Sequence, residues 1–503
     1  FPRRDVFPAD VLSELTAAHS LSTTQVAVLR HLLGADAEGS RLAHFQVLAT
    51  DHILKQIGPD RSSATIITAG TGSGKTRAFY IPALTDVVGA FSNEPWTKVL
   101  AIYPRVELLK DQFAEVIGQA HRVHLELEQH SPRPIRIGAF FGSTPHTNRV
   151  SERWGWRTRS DGSLQCPYIA CWACGGPMLW SEADRTKGRE VLRCRDCGTQ
   201  SLADQLALTR AGMAARPPDI LFTTTEMVNR HLSSLEYGHI FGVGMRATRR
   251  PRVLLLDEAH TYSGSAGAQA AYVLRRWQHA VGGPVHIVGL SATLEDAAPF
   301  MARLTGVHPS RVAAVRPTEE ELEARGMEYM LALRGNPMSG TALLSSSIQA
   351  LMLLRRVLDL PNGLPSGNAY GSRVFAFTDD LDVTNRLYFN LLDAEGRSFD
   401  DRPRPGRESL ANLRRPDLPD TVARRRDGQV WDAALAIGHS LRNSPTSISR
   451  TSSQDVGVDV ASDIVVATAS LEVGFDDLRV GGVVQHKAPR DPAAFLQRKG
   501  RAG

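Results

Sequence analysis

Apolar positions change their spacing several times along the chain. Up to about residue 40 they recur with a helical period (Val11, Leu12, Leu15; Val26, Leu29, Leu32, Leu33), which predicts a small helical leader over residues 1–40. From Thr65 onward short aliphatic runs take over: Thr65 to Thr68, Lys98 to Tyr103, Asp219 to Thr223, Arg252 to Leu256 and Val285 to Leu290. Runs this apolar are buried on both faces, so parallel strands joined by crossover helices are expected, forming an α/β lobe over residues 41–310. Trp, Gly, Pro and all five cysteines break that rhythm between Glu152 and Ser201, marking residues 152–201 as an insertion. After Gly306 the charged stretch Thr318 to Arg325 reads as helical, within a connecting segment over 311–345. A second set of runs, Arg373 to Phe377, Asp463 to Ala467 and Gly482 to Gln485, predicts a second α/β lobe over 346–503. Its stretch from Phe399 to Arg426 is rich in Arg, Pro and Asp without periodicity and reads as a mobile, solvated surface excursion.

Composition narrows the class. At 503 residues the chain exceeds one ordinary core, and 42% hydrophobic with 22% charged residues is the balance of a folded globular protein. Apolar runs such as Val253 to Leu256 end at a charge far short of the roughly 20 residues that cross a bilayer, and the N-terminus carries no secretory signal, so no membrane partner is expected. A net charge of +5 is compatible with a polyanion partner but is small for this length. Four of the five cysteines form two CxxC pairs, a pattern of metal ligands rather than disulfides, which places the chain in a reducing cytoplasm. Numbering begins at Phe1 and stops at Gly503 inside a motif, so a longer protein is expected, with further domains or a protein partner beyond residue 503.

The chemistry is concentrated in two strings. Ala69-Gly70-Thr71-Gly72-Ser73-Gly74-Lys75-Thr76 follows a strand and opens a helix, the setting of a Walker A loop. Its glycines let successive backbone N–H groups face the phosphates of ATP, Lys75 adds a point charge and the Thr76 hydroxyl suits Mg²⁺. Asp257-Glu258-Ala259-His260 ends the apolar strand from Val253, at the edge where open α/β sheets bind ligands. There Asp257 would hold Mg²⁺ through water, and Glu258 would polarise the attacking water.

Cys171-Trp172-Ala173-Cys174-Gly175 and Cys194-Arg195-Asp196-Cys197-Gly198 are two knuckles with the spacing of a four-cysteine zinc ribbon. Four thiolates leave no open coordination position, so the zinc on Cys171, Cys174, Cys194 and Cys197 is expected to be structural. Cys166 is left over, either unligated or in place of one member of the first pair. Whether the module touches DNA, docks a partner or only folds the insertion stays open.

Together these strings, with others in the same order, resemble the DEAH-type superfamily 2 helicases over roughly residues 40 to 503. Phe45-Gln46 matches the glutamine that reads adenine; Tyr103-Pro104-Arg105 with Asp111-Gln112 is similar to motif Ia and Thr223-Thr224-Thr225-Glu226 to motif Ib. Ser291-Ala292-Thr293 resembles motif III, Phe375-Ala376-Phe377-Thr378 motif IV, Ala467 to Asp476 motif V, and Gln497-Arg498-Lys499-Gly500-Arg501-Ala502-Gly503 the start of motif VI. The resemblance implies two tandem RecA-like P-loop lobes with a zinc-ribbon insertion in the first. It implies an ATP hydrolase in which Lys75, Thr76, Asp257, Glu258, His260, Gln497, Arg498 and Arg501 serve catalysis. Gln46, Gly70, Thr71, Gly72, Ser73, Gly74, Gly474 and Asp476 then hold the nucleotide, Pro104, Arg105, Thr224, Thr225, Thr378 and Thr468 touch nucleic acid, and Ser291 and Thr293 couple the two activities. Arg501 is an arginine finger, a group worth about 10³ to 10⁵ in rate; the pattern's next arginine would follow Gly503.

Within the superfamily, Asp257 to Gly264 and Gln485 to Asp491 resemble the MrfA-like branch and the helicases of anti-phage systems of the DISARM, Druantia and Dpd types. That branch implies DNA as substrate, 3′-to-5′ movement, and a role in defence or repair, with backbone contacts that read no sequence. Two alternatives stand beside a DNA helicase or translocase: an RNA helicase, and an ATP-gated loading or sensing subunit of a larger complex.

Overall fold

The computed structural model describes residues 1–503 apart from 71, 93, 105, 127–132, 150–154, 293, 295, 325–326, 335–342, 361–365, 367–369, 442–445, 452–461, 469–476, 478, 490–491 and 502–503. The chain divides into two compact units, Phe1–Met327 and Glu328–Gly503.

The first unit is built on eight parallel strands: β1 (Ser63–Thr68), β2 (Val99–Ile102), β3 (Ile137–Phe140), β4 (Leu206–Ala207), β5 (Ile220–Thr223), β6 (Val253–Leu256), β7 (His286–Ser291) and β8 (Val312–Val315). Their order across the sheet is β4-β3-β5-β2-β6-β7-β1-β8. The inner strands are apolar and buried along their whole length, as a parallel sheet covered on both faces requires. Strand β7 lies between β1 and β6, so the two candidate ATP motifs, which follow β1 and β6, leave the sheet two strands apart on one edge.

The leader contains more than helices. Arg4–Val6 pairs antiparallel with Leu42–Ala43, and the helices Pro8–Ala18 and Thr23–Leu33 follow. Ser22 starts the second helix with a capping box to Gln25, a local device worth about 1 kcal/mol, and Gly34 ends it in the left-handed region. This helix packs on the helix Lys75–Gly89: Arg77 donates to the carbonyls of Leu32 and Leu33 at 2.9 Å each, and Gln25 donates to Thr85 O. The leader is thus a layer of the first unit. At the other end the expected connecting segment opens with β8, a strand of the first sheet, and among the described residues of the charged stretch only Glu319–Glu321 is helical, as one 3₁₀ turn.

The insertion folds as a four-stranded antiparallel sheet of Arg157–Thr158, Leu164–Ala170, Pro177–Trp180 and Arg193–Cys194. Trp156, Tyr168 and Trp180 fill its inner face, and Tyr168 rests on Phe141 and Phe113 of the lobe, with ring centroids 4.9 and 6.4 Å away.

The second unit has a smaller parallel sheet of β9 (Arg373–Phe377), β10 (Ile448–Thr451), β11 (Ile464–Ala467) and β12 (Val480–Gln485), in the order β10-β11-β9-β12. Alternate residues feed two cores: Val374, Ala376, Ile464 and Val466 join Leu351, Leu387 and Leu391 on one face, while Phe375, Phe377 and Val465 form the other. Both units are therefore α/β with parallel sheets, the tandem RecA-like architecture. The stretch 399–426 departs from the expected featureless loop: it holds the turns Leu410–Arg414 and Thr421–Arg426, buries Ala411, and pairs Arg404 and Arg407 with Asp393. Among the described residues no helix is long and apolar enough to cross a membrane.

Candidate functional site

The loop after β1 turns through Gly72 at φ 72° and Gly74 at φ 88°, conformations that favour glycine. Gly74 has a second reason to be glycine, because a Cβ there would lie 2.5 Å from Gln46 Nε2. Gln46 is buried on the helix His44–Gln56; its Oε1 accepts from Ala43 N at 3.0 Å and its Nε2 donates to Gly74 O at 3.0 Å. It thereby pins the end of the phosphate loop. Lys75 opens the following helix and folds back on the loop, donating to the carbonyls of Ala69 at 2.6 Å and Gly70 at 3.1 Å. Thr76 is half-buried beside it, and Ser73 Oγ is buried with no hydrogen-bond partner among the described residues. An unpaired buried hydroxyl amid turned glycines and one lysine is a donor set that fits an anion.

Asp257 and Glu258 leave the end of β6 within reach of that loop. Burial first and the Glu258 charge second push the Asp257 carboxyl up to about 7, while the Glu258 amide and the Lys75 charge pull it down. Lys75 and Asp257 thus share one field. Glu258 takes the left-handed conformation at φ 46°, its amide donates to Asp257 Oδ1 at 2.9 Å, and its Oε2 lies 3.5 Å from His260 Nδ1. A carboxylate buried like Asp257 beside a second acid and a P-loop lysine fits a divalent cation, and Thr76 supplies a second hard oxygen.

Ser291 connects the two strings. Its carbonyl accepts from Ala69 N at 3.2 Å at the root of the phosphate loop, and its hydroxyl meets His260 Nδ1 at 3.2 Å. Beneath the loop the Tyr80 and Tyr103 hydroxyls are 3.0 Å apart, fully buried, and burial holds both far above the usual phenol range. They tie the helix after the loop to the segment before Pro104. Tyr80 was not expected from sequence, and Tyr103 was read only as the first residue of the motif Ia string, without this contact.

Pro104, Thr224 and Thr225 line one surface groove with Gly142, Ser143 and Arg230. Thr224 also caps the helix Thr225–His231, accepting from Met227 N. Gly142, Ser143 and Arg230 are additions to the sequence reading; the turn after β3 could have signalled the first two, but its strand is too short to stand out.

In the second unit the expected residues divide. Thr378 is fully buried, bonded to Thr384 Oγ1 at 2.5 Å and to Asp380 O at 3.1 Å, so it serves its own lobe here rather than offering a surface contact. Arg498 is likewise buried, paired with Asp379, donating to Gln485 Oε1 at 2.5 Å and lying over the Phe377 ring. Gln497 is buried beside it, and Thr468 is half-buried. Arg501 N donates to Arg498 O at 3.1 Å. Thr71, Arg105, Thr293, Gly474 and Asp476 lie outside the described residues.

The four knuckle cysteines converge, with all four sulfurs within 4.8 Å of one another. Cys171 and Cys197 are 3.6 Å apart and Cys174 and Cys194 3.5 Å, close to the ~3.8 Å edge of a tetrahedron with 2.3 Å Zn–S bonds. Amides of Ala173, Gly176 and Asp196 point at the sulfurs of Cys171, Cys174 and Cys194, each at 3.4 Å. Gly175 and Gly198 do not donate to sulfur; they stand at φ 74° and 76° and turn the chain so that neighbouring residues can. The Thr199 hydroxyl and amide draw the Cys197 thiol down to about 6, while, against the Gly176 amide, hydrogen bonds from the neighbouring sulfurs raise Cys174 to about 12, and burial raises Cys171. Cys166 is buried with Leu164 and Tyr168 on the inner face, outside this cluster.

Residues 44–137 and 184–300 match the family model described as DEAD/DEAH box helicase, a match that passes over most of the ribbon. Two curated relatives are similar to this chain. The Druantia protein DruE of Escherichia coli is 25% identical over 314 residues, 54% of this chain and 17% of that protein. The Lhr helicase/probable uracil glycosylase of Mycolicibacterium smegmatis is 28% identical over 299 residues, 58% of this chain and 18% of its own. The matched region thus spans less than a fifth of the length of these relatives. Among solved structures, Mycobacterium smegmatis helicase Lhr bound to ssDNA and AMP-PNP has TM-score 0.55 and 19% identity, covering 96% of this chain and 46% of that one. The DEAD-box helicase Mss116 bound to ssRNA and UDP-BeF has TM-score 0.53 and 16% identity, covering 100% and 73%. At such identities the likeness speaks for the fold.

Proposed function

We propose that this chain, similar over residues 44–137 and 184–300 to the DEAD/DEAH box helicases, is an ATP-hydrolysing motor that drives movement along DNA, 3′ to 5′, in a bacterial anti-phage or repair system. The observation that carries the reading is the meeting of Lys75 and Asp257-Glu258 at the carboxyl edge of one parallel sheet, with Ser291 bonded to both strings. In this reading the loop amides and Lys75 hold the triphosphate, and the 2.6 Å bond of Lys75 to Ala69 O is exchanged for phosphate oxygens. Thr76 and Asp257 would hold Mg²⁺, which neutralises charge on the phosphates. Glu258 orients the attacking water, and its neighbour His260 passes the state of the site to Ser291, hence to the sheet edge.

The groove of Pro104, Gly142, Ser143, Thr224 and Thr225, whose lining also holds Arg230 and its ion-pair partner Glu226 at 2.8 Å, gives the backbone of the nucleic acid a seat beside that edge. DNA is preferred over RNA because the Druantia relative supports the defence setting and the Lhr structure carries ssDNA. The RNA reading keeps one supporting observation, the similar fold of RNA-bound Mss116. ATPase activity measured with oligo-dT, duplex DNA and polyuridine separates them: stimulation by DNA alone is expected, and stimulation by polyuridine alone transfers the assignment to RNA. Lys75→Ala should reduce hydrolysis at least about 100-fold, as loss of a principal transition-state charge does; phosphate release near the unmodified rate would refute the site.

A further inference from the structure

The ribbon's two faces differ in kind. Register places Arg157 opposite Gln165, Gln165 opposite Leu179, Leu179 opposite Arg193, and Arg193 bridged to Gln200. Residues directly opposite in antiparallel strands share a face, so these five form one row across the sheet, and Arg159, two residues on from Arg157, joins it. The adjacent row, Leu164 with Trp180 and Met178 with Cys194, is buried against the lobe. The arginine row faces outward: Arg157 and Arg193 are exposed and Gln165 and Leu179 half-buried.

Two of its guanidiniums are held by neutral groups. Arg159 donates to Gln165 Oε1 at 3.2 Å, and Arg193 to Gln200 Oε1 at 3.2 and 2.8 Å. Both partners are neutral amides. Among the described residues no carboxylate lies within ion-pair distance of Arg157, Arg159 or Arg193. Asp161, the nearest acid along the chain to Arg157 and Arg159, spends its Oδ1 on the Ser163 amide and hydroxyl at 2.9 and 2.6 Å, although it feels the Arg159 charge; beside Arg193, Glu190 pairs with Arg136 and Asp196 with Arg195. Two other arginines of the module are matched, Arg189 with Asp184 and Arg195 with Asp196, each at 2.6 Å, while Arg185 donates to Gly162 O at 2.8 Å.

We propose that this outer face of the ribbon, through Arg157, Arg159 and Arg193, is a second seat for the phosphate backbone of the nucleic acid that the motor acts on. The proposal rests on the reading of the chain as a nucleic-acid motor. Arg157 and Arg193 stand three strand spacings apart, about 14 Å, a width that meets several phosphates of a duplex carrying one charge per ~1.7 Å. The amides that hold Arg159 and Arg193 are neutral, so a phosphate can displace them for bidentate contacts without the desolvation of a carboxylate. A protein partner fits the row less well, since a stable protein interface centres on apolar residues and Leu179 is the row's only one. The ribbon also abuts the groove already described: Tyr168 rests on Phe141, the residue before groove-lining Gly142 and Ser143.

The test compares the chain with Arg157→Gln/Arg159→Gln/Arg193→Gln and with Arg195→Gln as a matched-arginine control. Each binds a fluorescein-labelled DNA hairpin with a single-stranded tail, followed by anisotropy across a salt series. Each lost phosphate contact flattens log K against log salt by ~0.7–0.9, so the triple variant should lose about 2 to 3 from the slope and bind about tenfold or more weakly at low salt. Arg195→Gln should overlay the unmodified chain. Zinc content and thermal unfolding of the triple variant establish that the ribbon is folded. An unchanged slope and affinity in a folded, zinc-loaded triple variant overturn the proposal and leave the face to an acidic protein partner, with the motor reading intact. Failure of the unmodified chain to bind the hairpin, with ATPase indifferent to every nucleic acid, sinks the motor reading itself.

Discussion

Asp257 shows what burial beside a second acid does to one carboxylate. Its pKa of about 7 in the folded chain stands above the ~3.9 of an unfolded aspartate. Between those values the folded state holds a proton that the unfolded state has released, so stability falls as pH rises from about 4 through 7, and the loss is complete above it. Asn cannot ionise. Asp257→Asn should therefore stabilise the chain at pH 8, by up to about 4 kcal/mol, and hardly at pH 4. Urea unfolding at the two pH values checks this; an equal gain at both, or a loss at pH 8, contradicts it. The charges of this site were legible in sequence because a P-loop and an acidic strand end are local patterns. The contacts Gln46–Gly74, His260–Ser291 and Tyr80–Tyr103 were not, since each joins residues distant in the chain through side-chain geometry.

Among elements, the zinc ribbon was foreseen by cysteine spacing alone, while its attachment to the lobe was hidden. Tyr168 is buried on the inner face and meets Phe113, Phe141 and Trp156. Tyr168→Ala leaves a cavity where the ribbon joins the lobe and should cost about 3–5 kcal/mol, the range for aromatic truncation in a core. Thermal unfolding measures the loss, and increased proteolysis between residues 157 and 200 with zinc retained would locate it at the junction. A shift in unfolding below about 1 kcal/mol would mean that the ring carries no docking energy. Strands β3, β4, β8 and β10 also went unforeseen. They are short or lie at sheet edges, where two to four residues give no periodicity to read.

For the molecule as a whole, the division falls at Met327/Glu328, inside the segment expected to connect the lobes, and the leader and β8 belong to the first unit. A chain of residues 1–327 contains the phosphate loop, Asp257, Glu258 and the ribbon, whereas the arginine that the resemblance assigns to the γ-phosphate, Arg501, is in the second. That fragment should fold, bind zinc and bind an ATP analogue, yet hydrolyse ATP about 10³-fold more slowly than the whole chain. Calorimetric binding and phosphate release test both halves; a fragment as active as the whole chain would remove the second unit from the chemistry. What the sequence determined by itself were the features encoded within a few consecutive residues: apolar runs that must be buried, glycines that must turn, acids at a strand end and paired thiols. Tertiary structure alone decided which strands lie side by side, which arginines meet a carboxylate and which only an amide, and that Thr378 and Arg498 turn inward. Those outcomes depend on register and on neighbours hundreds of residues away, and no local pattern carries them.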